Sequence, residues 1–492
     1  MARLTPRAVS IAAILAAAGL LTPLSAAEAQ SGFRPGAPGA GDPYFPDMGN
    51  GGYVARHYSL SLAYDSGTKA INAHARISAT ATQNLSRFDL DFLGPLKISK
   101  LRVDGHTAKY TRTGVQELVI TPPHGLRKGR SFTVDVAYSG VPQMINDKAL
   151  GVSGWIGTHD GAVALSQPFG SATWYPVNDS THDKATYDFT ITVPKGLKAL
   201  ANGEPAGTRT HGSTTTFRWV DRQPTASELV MVAIGHFDVK DTRTPSGLRN
   251  ITAVDPAAVK PAARATATDG TDRRRLRAVP VPTPSGDFNT ATADVIEWEQ
   301  ELYGRYPFGS VGGIDVLAPN VGYSLETQGR PVYARRAAGA LPSADLLAHE
   351  LGHQWFGDSV TPAQWKHIWL NEGFATYTEW LYSEQHGGKT AQQLFDEAYA
   401  SASTDWSGKV ADPGRDHIFD DLVYTRGAMA IHQIRRAVGD EVFFRLLKAW
   451  PAAHRYGNDT TAQFIAFTEH FAHKDLDKLF KTWVYSEGKP AL

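Results

Sequence analysis

The fold of this chain is decided by one stretch, His349-Glu350-Leu351-Gly352-His353-Gln354-Trp355-Phe356-Gly357. It continues an apolar-periodic run that begins at Ser343, which predicts a helix with Ser343 as its N-cap. On a helix, His349 and His353 lie one above the other, so both imidazoles can reach one metal ion. Glu350 lies one position round the helix, close to such an ion but free to take up a proton. The bare pattern also suits an amphipathic helix that carries two polar histidines.

A second segment, which runs Trp369-Leu370-Asn371-Glu372-Gly373-Phe374-Ala375, decides between these interpretations. Eighteen residues separate Glu372 from His353, enough for a helix to end and for a second helix to present a carboxylate. Two histidines, one carboxylate and an open fourth position make up a catalytic zinc site. We therefore predict one zinc ion per chain, held by His349, His353 and Glu372, with Glu350 as general base.

The composition narrows the possibilities in the same direction. The 492 residues suffice for two to four domains, and they include no Cys. Disulfides, thiol nucleophiles and Cys-rich structural zinc sites are therefore excluded, and a transition metal must be held by His, Asp or Glu. The 49 Lys and Arg residues balance the 49 Asp and Glu residues, so the chain has no net positive charge that would attract nucleic acid.

The first 29 residues read as a signal peptide. Arg3 and Arg7 precede an apolar stretch from Ala8 to Leu21, and the small-x-small form Ala27-Glu28-Ala29 predicts cleavage after Ala29. The alternative, a membrane anchor, is disfavoured because the apolar stretch has 14 residues, whereas a bilayer span takes roughly 20. No later segment has 18 consecutive apolar residues, so we expect a secreted or otherwise exported protein without a membrane span.

The remaining chain divides by its hydrophobic pattern. Residues 30–52 are rich in Gly and Pro, which predicts a flexible leader. From Tyr53 apolar residues alternate with others, which predicts antiparallel β-strands and a β domain over residues 53–244. An Arg-rich stretch within 256–284 is interpreted as a solvated loop. After Asp287 the period becomes helical, so we predict an α+β multidomain protein whose mainly helical second domain covers residues 245–492. Its predicted helices span residues 290–303, 343–355, 372–385, 391–403, 424–438, 441–450 and 461–471.

The two zinc segments together resemble the aminopeptidase N-like family of zinc peptidases, the gluzincins that include leukotriene hydrolase. The resemblance is carried most strongly by residues 349–357, Trp365 and residues 369–375. It extends from about Tyr53 to the C-terminus. It implies a thermolysin-like fold for the catalytic domain and an aminopeptidase that acts on peptides with a free N-terminus, and we expect a monomer.

The resemblance also assigns the residues that would hold the substrate's α-ammonium group. The family uses the Glu of a Gly-Ala-Met-Glu-Asn segment, to which the stretch from Gly322 to Gln328 is similar, with Glu326 as the carboxylate and Thr327 in place of Asn. A second contact comes from the β domain. Gln167 precedes a block, residues 174–179, similar to the family's Phe-Pro-Cys-x-Asp motif, with Val177 where Cys is common.

A donor for the developing oxyanion is assigned in the same way. Tyr424 lies in a stretch similar to the family's Tyr-x-Lys-Gly-Ala block, with Arg426 for the usual Lys. Glu379 follows Glu372 by seven residues, on the same helix face, and could hydrogen-bond a ligating histidine. The remaining histidines, such as His432, have no partner at ligand spacing and are interpreted as structural.

These observations predict a zinc aminopeptidase. A zinc endopeptidase, or another zinc hydrolase on the same scaffold, is the alternative, and a non-catalytic binding protein is a third. Larger family members continue into a helical domain that covers the active site, whereas this chain ends near the expected end of the catalytic domain. We therefore expect a short form with a more open cleft. The sequence does not show which N-terminal residue is preferred.

Overall fold

The structure is a computed structural model that describes residues 32–259 and 287–492. The predicted signal peptide and most of the Arg-rich stretch lie outside the described residues. Within the described part of the chain, no helix combines the length and the apolar character that crossing a membrane requires.

The first domain is built almost entirely of strands. They are β1 (Arg34–Pro35), β2 (Tyr53–Tyr64), β3 (Ile71–Ala81), β4 (Leu85–Asp91), β5 (Lys97–Val103), β6 (His106–Thr107), β7 (Lys109–Thr113), β8 (Glu117–Thr121), β9 (Ser131–Gly140), β10 (Met144–Asp147), β11 (Gly151–Gly157), β12 (Ala162–Leu165), β13 (Ala185–Pro194), β14 (Lys198–Ala201), β15 (Glu204–His211), β16 (Thr214–Thr225) and β17 (Val232–Gly235). The predicted alternation is seen directly in β2, where Tyr58, Leu60 and Leu62 are buried and the residues between them face outward. Three sheets result, in the orders β1-β4-β8-β7, β10-β11-β12-β17-β14 and β15-β16-β13-β2-β3-β9-β5-β6. The largest sheet is antiparallel except for the parallel pair of β13 and β2.

The leader, predicted to be flexible from its Gly and Pro content, is packed from residue 32 onward. Phe45 is 4% exposed and lies between Phe169 of the first domain and Trp365 of the second, at ring distances of 5.2 and 6.1 Å. The Asp42 carboxylate accepts a hydrogen bond from the Trp365 N–H at 2.8 Å. Gly and Pro prevent regular structure but not burial, and the Phe45 side chain together with hydrogen bonds such as that of Asp42 holds this segment against both domains.

The second domain combines a sheet with helices. Its strands are β18 (Asp238–Arg243), β19 (Arg249–Val254), β20 (Ser310–Leu317), β21 (Ser324–Leu325), β22 (Val332–Arg335), β23 (Thr361–Pro362) and β24 (Asn458–Asp459), and its sheet runs β18-β19-β20-β22-β21. Its helices are α1 (Phe288–Tyr303), α2 (Ala344–Gly352), α3 (Trp369–Gln385), α4 (Ala391–Ala400), α5 (Gly427–Val438), α6 (Asp440–Ala453), α7 (Thr461–Ala472) and α8 (Asp477–Phe480). The expected fold class, a β domain followed by a mainly helical domain, is confirmed.

The starts of these helices follow local side-chain chemistry. The Asp287 carboxylate accepts from the N–H groups of Asn289 and Thr290 at the start of α1. Thr390 and Gln393 form a reciprocal capping box at the start of α4. Ser343 occupies the N-cap position of α2, as predicted, but its side chain makes no capping hydrogen bond. Helix α2 ends three residues before the predicted Trp355.

The chain changes from one domain to the other between β17 and β18. Strand β17 pairs with β12 and β14 of the first domain, whereas β18 pairs with β19 of the second. The sheets therefore place the boundary near residue 237, a few residues before the predicted residue 244. The two domains are joined closely, since the Lys184 ammonium donates to the carbonyls of Asp358, Ser359 and Gly457 at 2.9–3.1 Å.

Candidate active site

Two packed helices bring the predicted metal ligands together. Helix α2 carries His349, its C-cap residue His353 keeps a right-handed helical backbone, and α3 carries Glu372 in its first turn. The two imidazoles and the carboxylate are each at most 2% exposed. Each ligand offers one atom, and these three atoms lie within 4.8 Å of one another.

Hydrogen bonds on the far side of each imidazole fix its orientation. His349 Nδ1 lies 2.6 Å from Glu379 Oε1, and His353 Nδ1 lies 3.1 Å from the Phe356 carbonyl. Both partners are acceptors, so each Nδ1 carries the proton and each Nε2 is left with a lone pair. The sequence had suggested Glu379 for this position from its spacing to Glu372.

The donor set fits zinc. His349 Nε2 and His353 Nε2 lie 3.4 and 3.3 Å from Glu372 Oε2. Ligands at about 2.0–2.1 Å in a tetrahedron are separated by about 3.3 Å, so these distances match its edges. Glu372 Oε2 is buried without a hydrogen-bond partner among the described residues, which leaves it available to a cation. Burial raises the pKa of Glu372, but the two histidines more than offset it and hold the pKa at about 2.

Glu350 lines the same cavity, whose volume is about 290 Å³. Burial raises the pKa of its carboxyl group to about 8, against the opposing influence of His349 and His353. A divalent cation beside it would lower that pKa towards neutrality. A carboxyl group with a pKa in this range is suited to accepting and returning a proton.

Glu326 and Gln167 come together at one end of the cavity although they belong to different domains. Gln167 Nε2 donates to Glu326 Oε1 at 2.6 Å, and both side chains are 3% exposed. The Glu326 main chain is held by Gln354, whose Nε2 donates to the Glu326 carbonyl at 3.1 Å. An acceptor-rich pair of this kind, beside a metal site, suits an ammonium group.

Glu228 supports this pair and was not found from the sequence. It is 2% exposed, it hydrogen-bonds Gln167, and burial together with the nearby Glu326 raises its pKa well above the usual value. It lies 61 residues from Gln167 in the chain, so no local spacing could have revealed the contact.

Tyr424 lies at the metal-binding part of the cavity, on the π-helical segment Leu422–Arg426 that leads into α5. Its ring is stacked on that of His349, with 6.1 Å between centroids and 16° between planes. The Arg426 side chain anchors the segment through hydrogen bonds to carbonyls, including those of Gly408 and Trp483 at 3.1 Å. The Tyr424 side chain is thereby held beside His349 in the cavity wall.

The rest of the cavity wall comes from residues to which the sequence assigned no role in catalysis, metal binding or substrate binding. They are Gly322, Tyr323, Ser324, Ala334, Ser343, Asp345 and Leu346. Asp345 and Leu346 lie on the first turn of α2, on the N-terminal side of His349. The residues before the metal-binding motif carry no distinctive spacing, so their contact with the cavity is evident only in the folded chain.

Comparison with known proteins agrees with this geometry. Residues 54–229 match the Peptidase M1 N-terminal domain, and residues 335–483 match the Peptidase family M1 domain. A similar protein is Aminopeptidase M1 of Arabidopsis thaliana, 28% identical over 388 residues, or 75% of this chain and 41% of that protein. Probable aminopeptidase 1 of Sulfurisphaera tokodaii is 22% identical over 429 residues, or 82% of this chain and 50% of that protein. The chain thus spans half or less of the length of these curated relatives.

Solved structures match over nearly the whole fold. An M1 zinc metallopeptidase from Deinococcus radiodurans is 26% identical, with a TM-score of 0.78 and coverage of 92% of this chain and 98% of that one. A substituted form of that protein, bound to a Tyr-Ser-Ala substrate, is 25% identical with a TM-score of 0.78, over 92% of this chain and 99% of that one. Both domains, the zinc-ligand geometry and these structures lead to one conclusion: the chain belongs to the M1 family of peptidases.

Proposed function

We propose that this protein is a zinc aminopeptidase that removes N-terminal residues from peptides. The observation that carries the proposal is the pairing of Glu326 with Gln167 at one end of the cavity, beside the candidate zinc ligands. A substrate whose ammonium group binds there has its first peptide bond held next to those ligands, because Glu326 and His353 offer atoms within 4.8 Å of one another.

Different residues are proposed for metal binding, proton transfer and stabilisation of the oxyanion. His349, His353 and Glu372 would hold the zinc ion, which when bound acidifies water and polarises a carbonyl group. Glu350 takes the proton from the attacking water and passes it to the leaving amine. The Tyr424 hydroxyl donates to the carbonyl oxygen as negative charge develops there, and losing one such donor typically costs about 10²–10³ in rate.

The relatives support this function by name. The Arabidopsis protein is named an aminopeptidase, one structure of the Deinococcus protein contains a Tyr-Ser-Ala substrate, and structures of a two-domain M1 zinc metallopeptidase contain L-tryptophan or L-arginine. A peptide and single amino acids are the ligands expected of an enzyme that releases one residue at a time. No observation on this chain favours the endopeptidase alternative.

Blocking the substrate amine tests the proposal. The zinc-loaded protein should hydrolyse a free peptide and fail on the same peptide with an acetylated N-terminus. Glu326→Ala should lose most of kcat/KM on the free peptide while its zinc content is unchanged, whereas Glu301→Ala, at an exposed position on α1, serves as the matched control. Equal cleavage of free and acetylated peptides would identify an endopeptidase instead.

Export is a separate part of the proposal. It is supported by the basic and apolar pattern of the first 29 residues and by the small residues at the predicted cleavage site. N-terminal sequencing of the protein recovered outside the cytoplasm should begin at Gln30. A start at Met1 or Ala2 would contradict it.

A further inference from the structure

The cavity is lined by more carboxylates than the roles proposed above for metal binding, proton transfer and ammonium binding require. Glu372 faces the two ligating imidazoles, Glu379 hydrogen-bonds His349, Glu326 accepts from Gln167, and Glu350 is the proposed base. Asp345 is the fifth, and the cavity wall contains no Lys or Arg among the described residues. One negative charge in the wall is therefore left without an assigned partner.

Asp345 is buried in an unusual way for a carboxylate. It is 5% exposed, and it makes no hydrogen bond or ion pair with any residue that the structure describes. Because Asp345 lines the cavity and no Lys or Arg side chain lies in that wall among the described residues, a cation that enters the cavity can pair with it. It lies in the first turn of α2, on the N-terminal side of His349.

The position of Asp345 along α2 shows which part of a substrate it faces. Asp345, His349 and His353 follow one another at intervals of four residues on one helix face, or about 6 Å per step. Glu326 lies at the His353 end, where its carboxylate is within 4.8 Å of the imidazole. Asp345 lies at the other end, one helical turn before His349 in the first turn of α2.

A peptide bound by its ammonium group at Glu326 therefore crosses the candidate metal ligands and continues towards Asp345. Successive residues of an extended chain are about 3.5 Å apart, so the backbone of the second substrate residue lies near His349, and a long side chain on it spans the remaining step of about 6 Å to Asp345. Leu346 lies beside Asp345 in the cavity wall and gives the stem of a long side chain an apolar contact.

We propose that Asp345 selects substrates whose second residue carries a cationic side chain, lysine or arginine. The inference rests on the proposed aminopeptidase function, because the ammonium anchor fixes which residue meets Asp345. A purely structural role for Asp345, as a helix-terminal carboxylate, predicts no dependence on that substrate residue.

The test uses tripeptides that differ only at the second position. The zinc-loaded wild type should cleave Ala-Lys-Ala with a kcat/KM about tenfold higher than Ala-Met-Ala, in which Met matches the length of Lys without its charge. In Asp345→Asn this ratio should fall to about one. Asp294→Asn removes an exposed carboxylate of α1 outside the cavity wall and should keep the wild-type ratio.

A binding measurement separates this inference from the proposed function. In a Glu350→Gln background, zinc-loaded protein is titrated with both tripeptides by calorimetry, with and without Asp345→Asn. Tighter binding of Ala-Lys-Ala that Asp345→Asn abolishes supports the inference. If the protein with Glu350 intact then hydrolyses neither peptide, only the aminopeptidase proposal fails. A wild type that hydrolyses and binds both peptides equally, or a variant that keeps the preference, overturns the role of Asp345.

Discussion

Gly373 offers a test of how the active site depends on the contact between two helices. It follows Glu372 on α3 and lies against Gly427, the first residue of α5. A Cβ atom on Gly373 would lie 3.0 Å from both the Cα and the carbonyl carbon of Gly427. Because the nearest atoms belong to a backbone rather than to a flexible side chain, Gly373→Ala can be accommodated only if the two helices move apart.

The size of that movement follows from the distance. Carbon atoms in ordinary contact are about 3.5–4.0 Å apart, so the helices must separate by about 0.6 Å. Overpacking of this kind costs about 1–3 kcal/mol, and the better helix propensity of Ala returns about 1 kcal/mol. The net loss of about 0–2 kcal/mol lowers the melting temperature by only a few degrees in a domain of this size.

The effect on catalysis should be larger than the effect on stability. Glu372 lies on α3 next to the contact, and Tyr424 lies on the π-helical segment that leads into α5, so the separation changes the distance between a candidate ligand and the proposed oxyanion donor. A misplacement of about 1 Å can cost 10²-fold in rate, so about 0.6 Å corresponds to roughly tenfold in kcat/KM.

The assay is hydrolysis of an alanine p-nitroanilide by the zinc-loaded protein, together with zinc content and thermal unfolding. Gly157→Ala is the matched control, because a Cβ atom there would meet nothing within 4 Å. The expected result is a kcat/KM about tenfold lower for Gly373→Ala and unchanged for the control. Unchanged turnover in Gly373→Ala would refute the argument that the helix contact sets the site geometry.

Two further predictions concern buried histidines, one through a hydrogen bond of His349 and one through the pKa of His432. Glu379→Gln removes the charge that orients His349, so the zinc dissociation constant should rise about 10–100-fold in a chelator competition, and an unchanged constant would contradict this role. Burial lowers the pKa of His432 from 6.5 to about 4, so the unfolded chain takes up a proton first as the pH falls. Stability is therefore full above pH 6.5 and declines towards pH 4, by up to about 3 kcal/mol from this group. Urea unfolding of His432→Gln should show a correspondingly weaker loss between these pH values than the wild type, and parallel profiles would contradict the assignment.

The metal centre could be predicted from the sequence because its determinants are local. His349 and His353 are related by one helical turn, and the loop to Glu372 is short enough for its length to be informative. The same holds for Glu379, two turns beyond Glu372 on α3. Within a helix, spacing in sequence fixes spacing in space, so these residues needed no knowledge of the tertiary fold.

Residues that act across the domain interface could not be predicted in this way. Gly and Pro content indicated a flexible leader, but the burial of Phe45 depends on Phe169 and Trp365, which are distant in sequence. Asp345 is one helical turn from a ligand, yet only the shape of the cavity shows that its carboxylate has no partner. Composition and periodicity are properties of one segment, whereas the burial of its side chains depends on tertiary contacts with residues distant in sequence.

The proposed activity has a hydrolytic centre, which is defined by local spacing, and an ammonium anchor, which depends on contacts between the domains. The zinc ligands and Glu350 all come from α2, its C-cap and α3, so the hydrolytic centre belongs to the second domain alone. The ammonium anchor does not, because Gln167, backed by Glu228, is contributed by the first domain and meets Glu326 only when the domains are packed together. The packing of Phe45 between both domains and the hydrogen bonds of Lys184 to three carbonyls across the interface fix that meeting point. The proposed restriction of cleavage to the N-terminus thus depends on the interface between the domains, whereas the residues proposed for hydrolysis belong to the second domain.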